Sequence, residues 1–384
     1  MKKTALAALV LILSMLLASC GPAGVTPPDA EGGGEKIEPK NRIFYEYFDT
    51  PCVFYDYTGG TNEEFKKRYT AVEAELKACH ELFDIYHTYE GVNNAKTVND
   101  AAGGDPIKVD ERFIELLEFA KEMYRKTSGH VNVMMGSVLT LWHNYRHGFK
   151  SCVGCGYDGK IDVFARGKTE VWTCPECAVE NKKAEKPVLP PMDKLVAFGE
   201  HTDIESLEIN REAGTVRITD PEASLDLGAV AKGYTCERIA KMLEADGVRA
   251  YALDFGGNLK VGEKLNGDGW VSGIKNPDIW ADEQYVRILN VKNSALVTSG
   301  SYERFYTVDG VNYHHIINKD TLMPENRYAS VTIWTPSSAE ADALSTAFFN
   351  MSEDEIKSAQ REFLKTEVTL VYPDGRVEVL PALG

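Results

Sequence analysis

Beyond its first twenty residues this 384-residue chain lacks any apolar run long enough to cross a bilayer as a helix, which excludes a second membrane segment. It lacks an internal repeat, so no repeat architecture is expected. It also lacks an excess of positive charge: 42 Lys and Arg face 58 Asp and Glu, a net charge of −16 that becomes −18 without Lys2 and Lys3. Such an acidic surface disfavours nucleic acid and anionic membrane as partners. An anionic substrate would need a local device, a metal ion or a helix N-terminus.

The chain does have a distinctive start. Lys2 and Lys3 precede an apolar run from Ala5 to Ala18, which closes at Leu17-Ala18-Ser19-Cys20-Gly21. This is a secretory signal, too short for a stable transmembrane helix. Its closing residues resemble a bacterial lipoprotein signal, which implies lipidation of Cys20 and anchoring at the extracytoplasmic face of the cell membrane. An ordinary signal cleaved near Ala18 is the alternative. Residues 21 to 40 are rich in Gly, Pro, Glu and Ala, with no apolar periodicity, and read as a tether. The expected organisation is a signal over 1–19, a tether over 20–40 and one domain over 41–384.

Within that domain strands and helices intermix without regular alternation, which argues for an α+β fold. Phe44 to Tyr57 reads as one strand broken at Thr50-Pro51. A helix follows, opened by a Thr61/Glu64 capping box and striped by Phe65, Tyr69, Val72, Leu76, Cys79 and Phe83. Asp110 is the N-cap of a second helix, which stops near Gly129. Val131 to Leu141 reads as extended. Later helices are expected from about Gly228 to Ala245 and from about Ser338 to Met351.

Three stretches carry chemistry. Ser224-Leu225-Asp226-Leu227-Gly228-Ala229-Val230-Ala231-Lys232 sets small residues between an aspartate and a lysine at a strand-to-helix junction, where backbone can approach a ligand. In Asp342-Ala343-Leu344-Ser345-Thr346 a carboxylate and a hydroxyl lie one helical turn apart, a hard-oxygen pair suited to Mg²⁺. The bland alternative is a Thr346 hydroxyl bonded back to the Asp342 carbonyl. Thr298-Ser299-Gly300-Ser301-Tyr302-Glu303-Arg304-Phe305 precedes Tyr313-His314-His315-Ile316-Ile317-Asn318, whose paired histidines suit zinc binding, catalysis or a strand-edge hydrogen bond.

In order and spacing these stretches resemble the FAD:protein FMN transferases, the ApbE-type flavin transferases. Phe48-Asp49-Thr50-Pro51, Gly129-His130-Val131-Asn132-Val133-Met134-Met135-Gly136 and Asp254-Phe255-Gly256-Gly257-Asn258 extend the resemblance across nearly the whole domain. It implies a compact core of antiparallel sheets with packed helices. It also implies FAD contacts at Phe48, His130, Val131, Asn132, Asp226, Lys232 and Ile317. Mg²⁺ would be held by the Ala229 carbonyl, Asp342 and Thr346. Asn132 departs from the Asp often found at its position. The implied reaction is Mg²⁺-dependent transfer of FMN from FAD to a Ser or Thr hydroxyl of an exported redox protein, releasing AMP. Lys232 would orient the diphosphate and His315 would act as base, with His314 as the alternative. No copy of the Ser/Thr-bearing flavinylation motif occurs in this chain, so the acceptor is another protein. Competing functions are a FAD diphosphatase and a non-catalytic flavin- or metal-binding lipoprotein.

One segment does not belong to that resemblance. Cys152-Val153-Gly154-Cys155 and Cys174-Pro175-Glu176-Cys177 are two C-x-x-C knuckles with zinc-ribbon spacing. Structural Zn²⁺ on Cys152, Cys155, Cys174 and Cys177 is expected; two disulfides or a rubredoxin-type iron site would use the same residues. Residues 151–186 read as an insertion, with a hairpin between Lys160 and Trp172.

Overall fold

The computed structural model describes residues 38–384, apart from 150, 158, 160–162, 167, 168 and 185 and the side chains of 163–166, 169 and 170. The expected signal, Cys20 and most of the expected tether lie outside the described residues. The main sheet is antiparallel throughout. Its eight strands run in the spatial order Lys40–Phe44, Cys52–Asp56, Tyr251–Phe255, Asn258–Val261, Ser294–Gly300, Ser330–Thr335, Glu367–Val371, Val377–Leu380. Eight helices accompany it among the described residues: α1 (Asn62–Phe83), α2 (Ala95–Asp100), α3 (Glu111–Lys126), α4 (Gly136–Arg146), α5 (Met192–Gly199), α6 (Ala231–Ala245), α7 (Ser338–Phe349) and α8 (Glu353–Ala359). This is the α+β architecture of antiparallel sheets and packed helices that the sequence led us to expect.

Local chemistry explains the helix starts. Thr61 and Glu64 form both bonds of a capping box ahead of α1, and Val72, Leu76, Cys79 and Phe83 bury the stripe. Asp110 caps α3 by accepting from the Arg112 amide at 2.9 Å. Two expectations need correction. Phe44 to Tyr57 is not one broken strand but a hairpin, because Phe48 and Asp49 turn the chain with φ of 55° and 51°. Val131 to Leu141 is not extended: Val138, Leu141, Trp142 and Tyr145 bury one helical face, and α4 begins at Gly136. The small residues around Met135 had hidden that period. They serve close approach, since a Cβ at Gly136 would lie 2.3 Å from the Ser224 carbonyl oxygen.

The crossing that matters most for the site is that of α6 over α7. Helix α7 rests on strands Ser294–Gly300 and Ser330–Thr335, and α6 packs against its other side. At the contact stands Gly233, where a Cβ would sit 2.3 Å from the Asp342 Cβ and 2.4 Å from the Ser338 carbonyl oxygen. Any side chain there forces the helices apart. Gly233→Ala should therefore destabilise the protein by about 1–3 kcal/mol, the usual cost of overpacking a core. Calorimetry would register a lower melting temperature, and an unchanged one would show that the crossing yields freely.

Candidate active site

A cavity of about 580 Å³ opens between α4, the start of α6, α7 and the hairpin of strands Phe305–Val308 and Val311–His314. Its size suits a single large cofactor or substrate. Its wall gathers His130, Asn132, Asp226, Ala229, Lys232, His314, His315, Ile317, Asp342 and Thr346 from segments up to 216 residues apart. Two sequence candidates stand off it. Val131 is 1% exposed, with its side chain in the core. Phe48 packs edge-on against His80, ring centres 5.4 Å apart, while its neighbour Thr50 reaches the cavity.

The α6–α7 crossing builds one end. The Gly233 amide, which in a regular helix would bond the Ala229 carbonyl, donates instead to Asp342 Oδ2 at 2.7 Å. Among the described residues no backbone amide donates to the Ala229 carbonyl, so its lone pairs remain available. Asp342 is buried, and desolvation raises its pKa against the opposing pull of Lys232, the Gly233 amide and Asn258. A carboxylate so placed favours a nearby cation. One turn on, Thr346 faces the cavity. The bond to the Asp342 carbonyl is made by Ser345 Oγ at 2.9 Å, so the Thr346 hydroxyl is not spent there. Carboxylate, hydroxyl and carbonyl together are the hard-oxygen set that fits Mg²⁺. Asn258, which sequence reading met only as part of a glycine-rich turn, also lines the cavity, and its buried Oδ1 has no partner.

The two histidines separate cleanly. His314 is buried, with Nδ1 accepting from the Ile316 amide at 3.2 Å and Nε2 consequently donating to the Glu325 carbonyl at 2.7 Å. Both ring nitrogens are committed. His315 Nδ1 lies 3.3 Å from the Arg304 carbonyl oxygen, which fixes the proton on Nδ1 and leaves the Nε2 lone pair free. His315 keeps exposed surface at the mouth of the concave wall, yet desolvation there, then Arg304, His314 and Arg146, bring its pKa down to about 3 against the bond to the Arg304 carbonyl. The ring is a neutral acceptor at physiological pH.

In the central segment Asn132 is occupied, donating to the Thr202 carbonyl at 2.8 Å and accepting from the Met134 amide at 2.9 Å. It holds the loop. His130 Nδ1 is buried without a partner, and burial lowers this ring's pKa as well. Asp226 accepts from the Gly228 amide at 2.8 Å and so shapes the turn into α6. Sequence reading missed Tyr86, His143 and Arg146 on the opposite wall. Recognising α4 as a helix would have put His143 and Arg146 on a shared face.

The four cysteines form a second centre. Their sulfurs lie within 4.8 Å of one another, with Cys152 and Cys177 at 3.5 Å and Cys155 and Cys174 at 3.6 Å. These separations exceed S–S bonds of about 2.05 Å and suit four ligands around one ion. Desolvation opposes ionisation of Cys152, yet hydrogen bonds from Asn181 and from the Gly154 and Cys155 amides bring its pKa down to about 6. Cys177, despite the Val179 amide, is pushed up to about 12 by desolvation and by the three neighbouring sulfurs. Four thiolates can coexist here only around a cation. The ribbon has a third strand beyond the expected hairpin, Glu180–Lys182, paired with Thr169–Thr173.

Residues 53–370 match the model of the ApbE family. An FAD:protein FMN transferase of Treponema pallidum is 29% identical over 324 residues, covering 78% of each chain. One from Vibrio cholerae is 28% identical over 282 residues, covering 72% of each. The fold is similar to that of the ApbE protein of Thermotoga maritima, with a TM-score of 0.69 and 24% identity over 89% of this chain and 96% of that one. It is also similar to the flavin transferase ApbE of Vibrio cholerae, with a TM-score of 0.67 and 22% identity over 90% and 98%.

The lowered His315 pKa has a sign that can be checked. An unfolded histidine takes up its proton near pH 6.5, the folded His315 only near 3, so this group costs stability as pH falls through that window. NMR titration should find the His315 ring still neutral at about pH 5. A midpoint near 6.5 would show that the cavity wall does not desolvate the ring.

Proposed function

The chain belongs to the ApbE family, and on that premise we propose that it transfers FMN from FAD to a Ser or Thr hydroxyl of another exported protein, with Mg²⁺ as its metal. The names of its relatives supply flavin transfer. The observation that carries the finer reading is the oxygen set at the α6–α7 crossing. Asp342, Thr346 and the freed Ala229 carbonyl would hold Mg²⁺, which neutralises charge on the diphosphate oxygens. Lys232, on the same wall, adds an ammonium beside the diphosphate and holds it in line for attack.

His315 Nε2 takes the acceptor's proton as the hydroxyl oxygen bonds to the FMN-side phosphorus. The bond from that phosphorus to the bridging oxygen breaks, and AMP leaves with the oxygen. A ring with a pKa of about 3 is a weak base in the empty cavity. Acceptor carboxylates beside Arg304 and Arg146 would offset the part of that shift owed to the two cations, while the larger part, desolvation, remains.

In the same proposal residues 151–186 form a structural Zn²⁺ ribbon inserted in the 41–384 domain. Amides of Gly154, Cys155, Tyr157 and Val179 directed at sulfur support it, as thiolate ligands require. Anchoring at the extracytoplasmic membrane face through Cys20 rests on the N-terminal motif.

Three measurements check these assignments. Asp342→Ala should keep its circular dichroism while FMN transfer, read by mass spectrometry of the acceptor, falls by roughly a hundredfold or more. Full activity would end the metal assignment. His315→Ala should lose roughly 10²- to 10⁴-fold across neutral pH. Metal analysis of the purified protein should return stoichiometric zinc; absence of zinc together with absence of free thiols would restore the disulfide alternative.

A further inference from the structure

The ribbon takes part in the cavity. Tyr157, two residues past Cys155, and Pro175, next to Cys174, both line its wall. They come from the two knuckles, brought together by the four-sulfur cluster. Polar bonds fasten this unit to the core: Tyr145 meets Ser151 at 3.2 Å, Lys194 donates to Ser151 Oγ at 2.9 Å and to the Gly156 carbonyl at 3.1 Å, and Asn144 donates to the Gly159 carbonyl at 3.0 Å. The end of α4 is thus a post shared by the ribbon and the cavity.

On that post stands Arg146, and across from it Arg304. Both line the cavity, and both act on the His315 ring. Among the described residues no carboxylate lies within ion-pair distance of either guanidinium; Arg146 meets only the His143 ring, at 3.3 Å. No ion pair among the described residues neutralises these two neighbouring like charges, Glu303 reaching Arg304 only at longer range, and in a chain of net charge −16 they favour an anion. The diphosphate end has cationic provision of its own at Lys232 and the Asp342 oxygen set. The arginines line the same wall as His315 and lie near enough to act on its ring. Residues 151–186 carry six Lys and Arg against six Asp and Glu, so the ribbon adds no net repulsion to an acidic partner.

We propose that the metal-held knuckles, with Arg146 and Arg304, form a docking lip for an acidic segment of the acceptor protein, delivering its hydroxyl to His315. The inference rests on the transferase reading for the identity of the second substrate. The acceptor's carboxylates pair with the guanidiniums, while Tyr157 and Pro175 limit which backbone can enter. Zinc in this arrangement shapes the acceptor side of an active site whose chemistry lies elsewhere.

Fluorescence anisotropy of labelled threonine peptides tests it, one peptide with aspartates flanking the threonine and one with asparagines in their place. The full-length zinc-loaded protein should bind the aspartate peptide roughly tenfold or more tightly than the other. Arg146→Gln and Arg304→Gln should each remove most of that preference. Pro175→Glu should weaken the aspartate peptide with bound zinc and FAD affinity unchanged. Equal binding of the two peptides by the wild type overturns the proposal. So does an Arg146→Gln protein that loses FAD affinity but keeps the preference, because the guanidinium would then serve the FAD diphosphate. An unaltered preference in Pro175→Glu removes the ribbon from the lip. A wild type that discriminates the peptides but moves no FMN keeps the docking site and rejects the transferase reading.

Discussion

A hydrogen bond from the Gly233 amide to the buried Asp342 carboxylate is the constraint on which the site depends. It exists because residue 233 has no side chain, which lets α6 cross α7 at contact distance. The same bond diverts the amide from its helical partner and releases the Ala229 carbonyl. Three hard oxygens thereby line one cavity wall, and the helical period of α7 sets Thr346 one turn from Asp342. Desolvation makes the carboxylate costly to leave alone, and a cation relieves that cost.

Two adjacent histidines of identical chemistry end with opposite duties because of what each ring meets. His314 has both nitrogens bonded within the fold and braces the turn that carries Ile317. His315 has one nitrogen steadied by a backbone carbonyl and the other left with its lone pair. Its surroundings favour the neutral ring.

The sequence made much of this legible. A one-turn Asp342 and Thr346 pair can be read from helical period alone, and the cysteine spacing announces a four-sulfur centre. Capping at Thr61 and Asp110 placed two helices to within a residue. Other features could not be read, for physical reasons. The choice between the histidines depends on partners at Glu325 and Arg304 that only tertiary structure brings near. Gly233 looks like any small residue at a helix start until α7 is packed on it. Helix α4 was missed because its small, close-packed opening resembles extended chain, and with it went Arg146 and the wall shared with the ribbon. Val131 was carried in by its neighbours' motif, although its side chain points into the core.

On the proposed reading the α6–α7 crossing binds a divalent cation. Mn²⁺ can stand in for Mg²⁺ and be counted by electron paramagnetic resonance, without FAD or acceptor present. Wild-type protein should take up Mn²⁺ in competition with Mg²⁺, and Asp342→Asn, which keeps the shape but removes the charge, should lose that uptake. Equal binding by the two proteins would contradict the account.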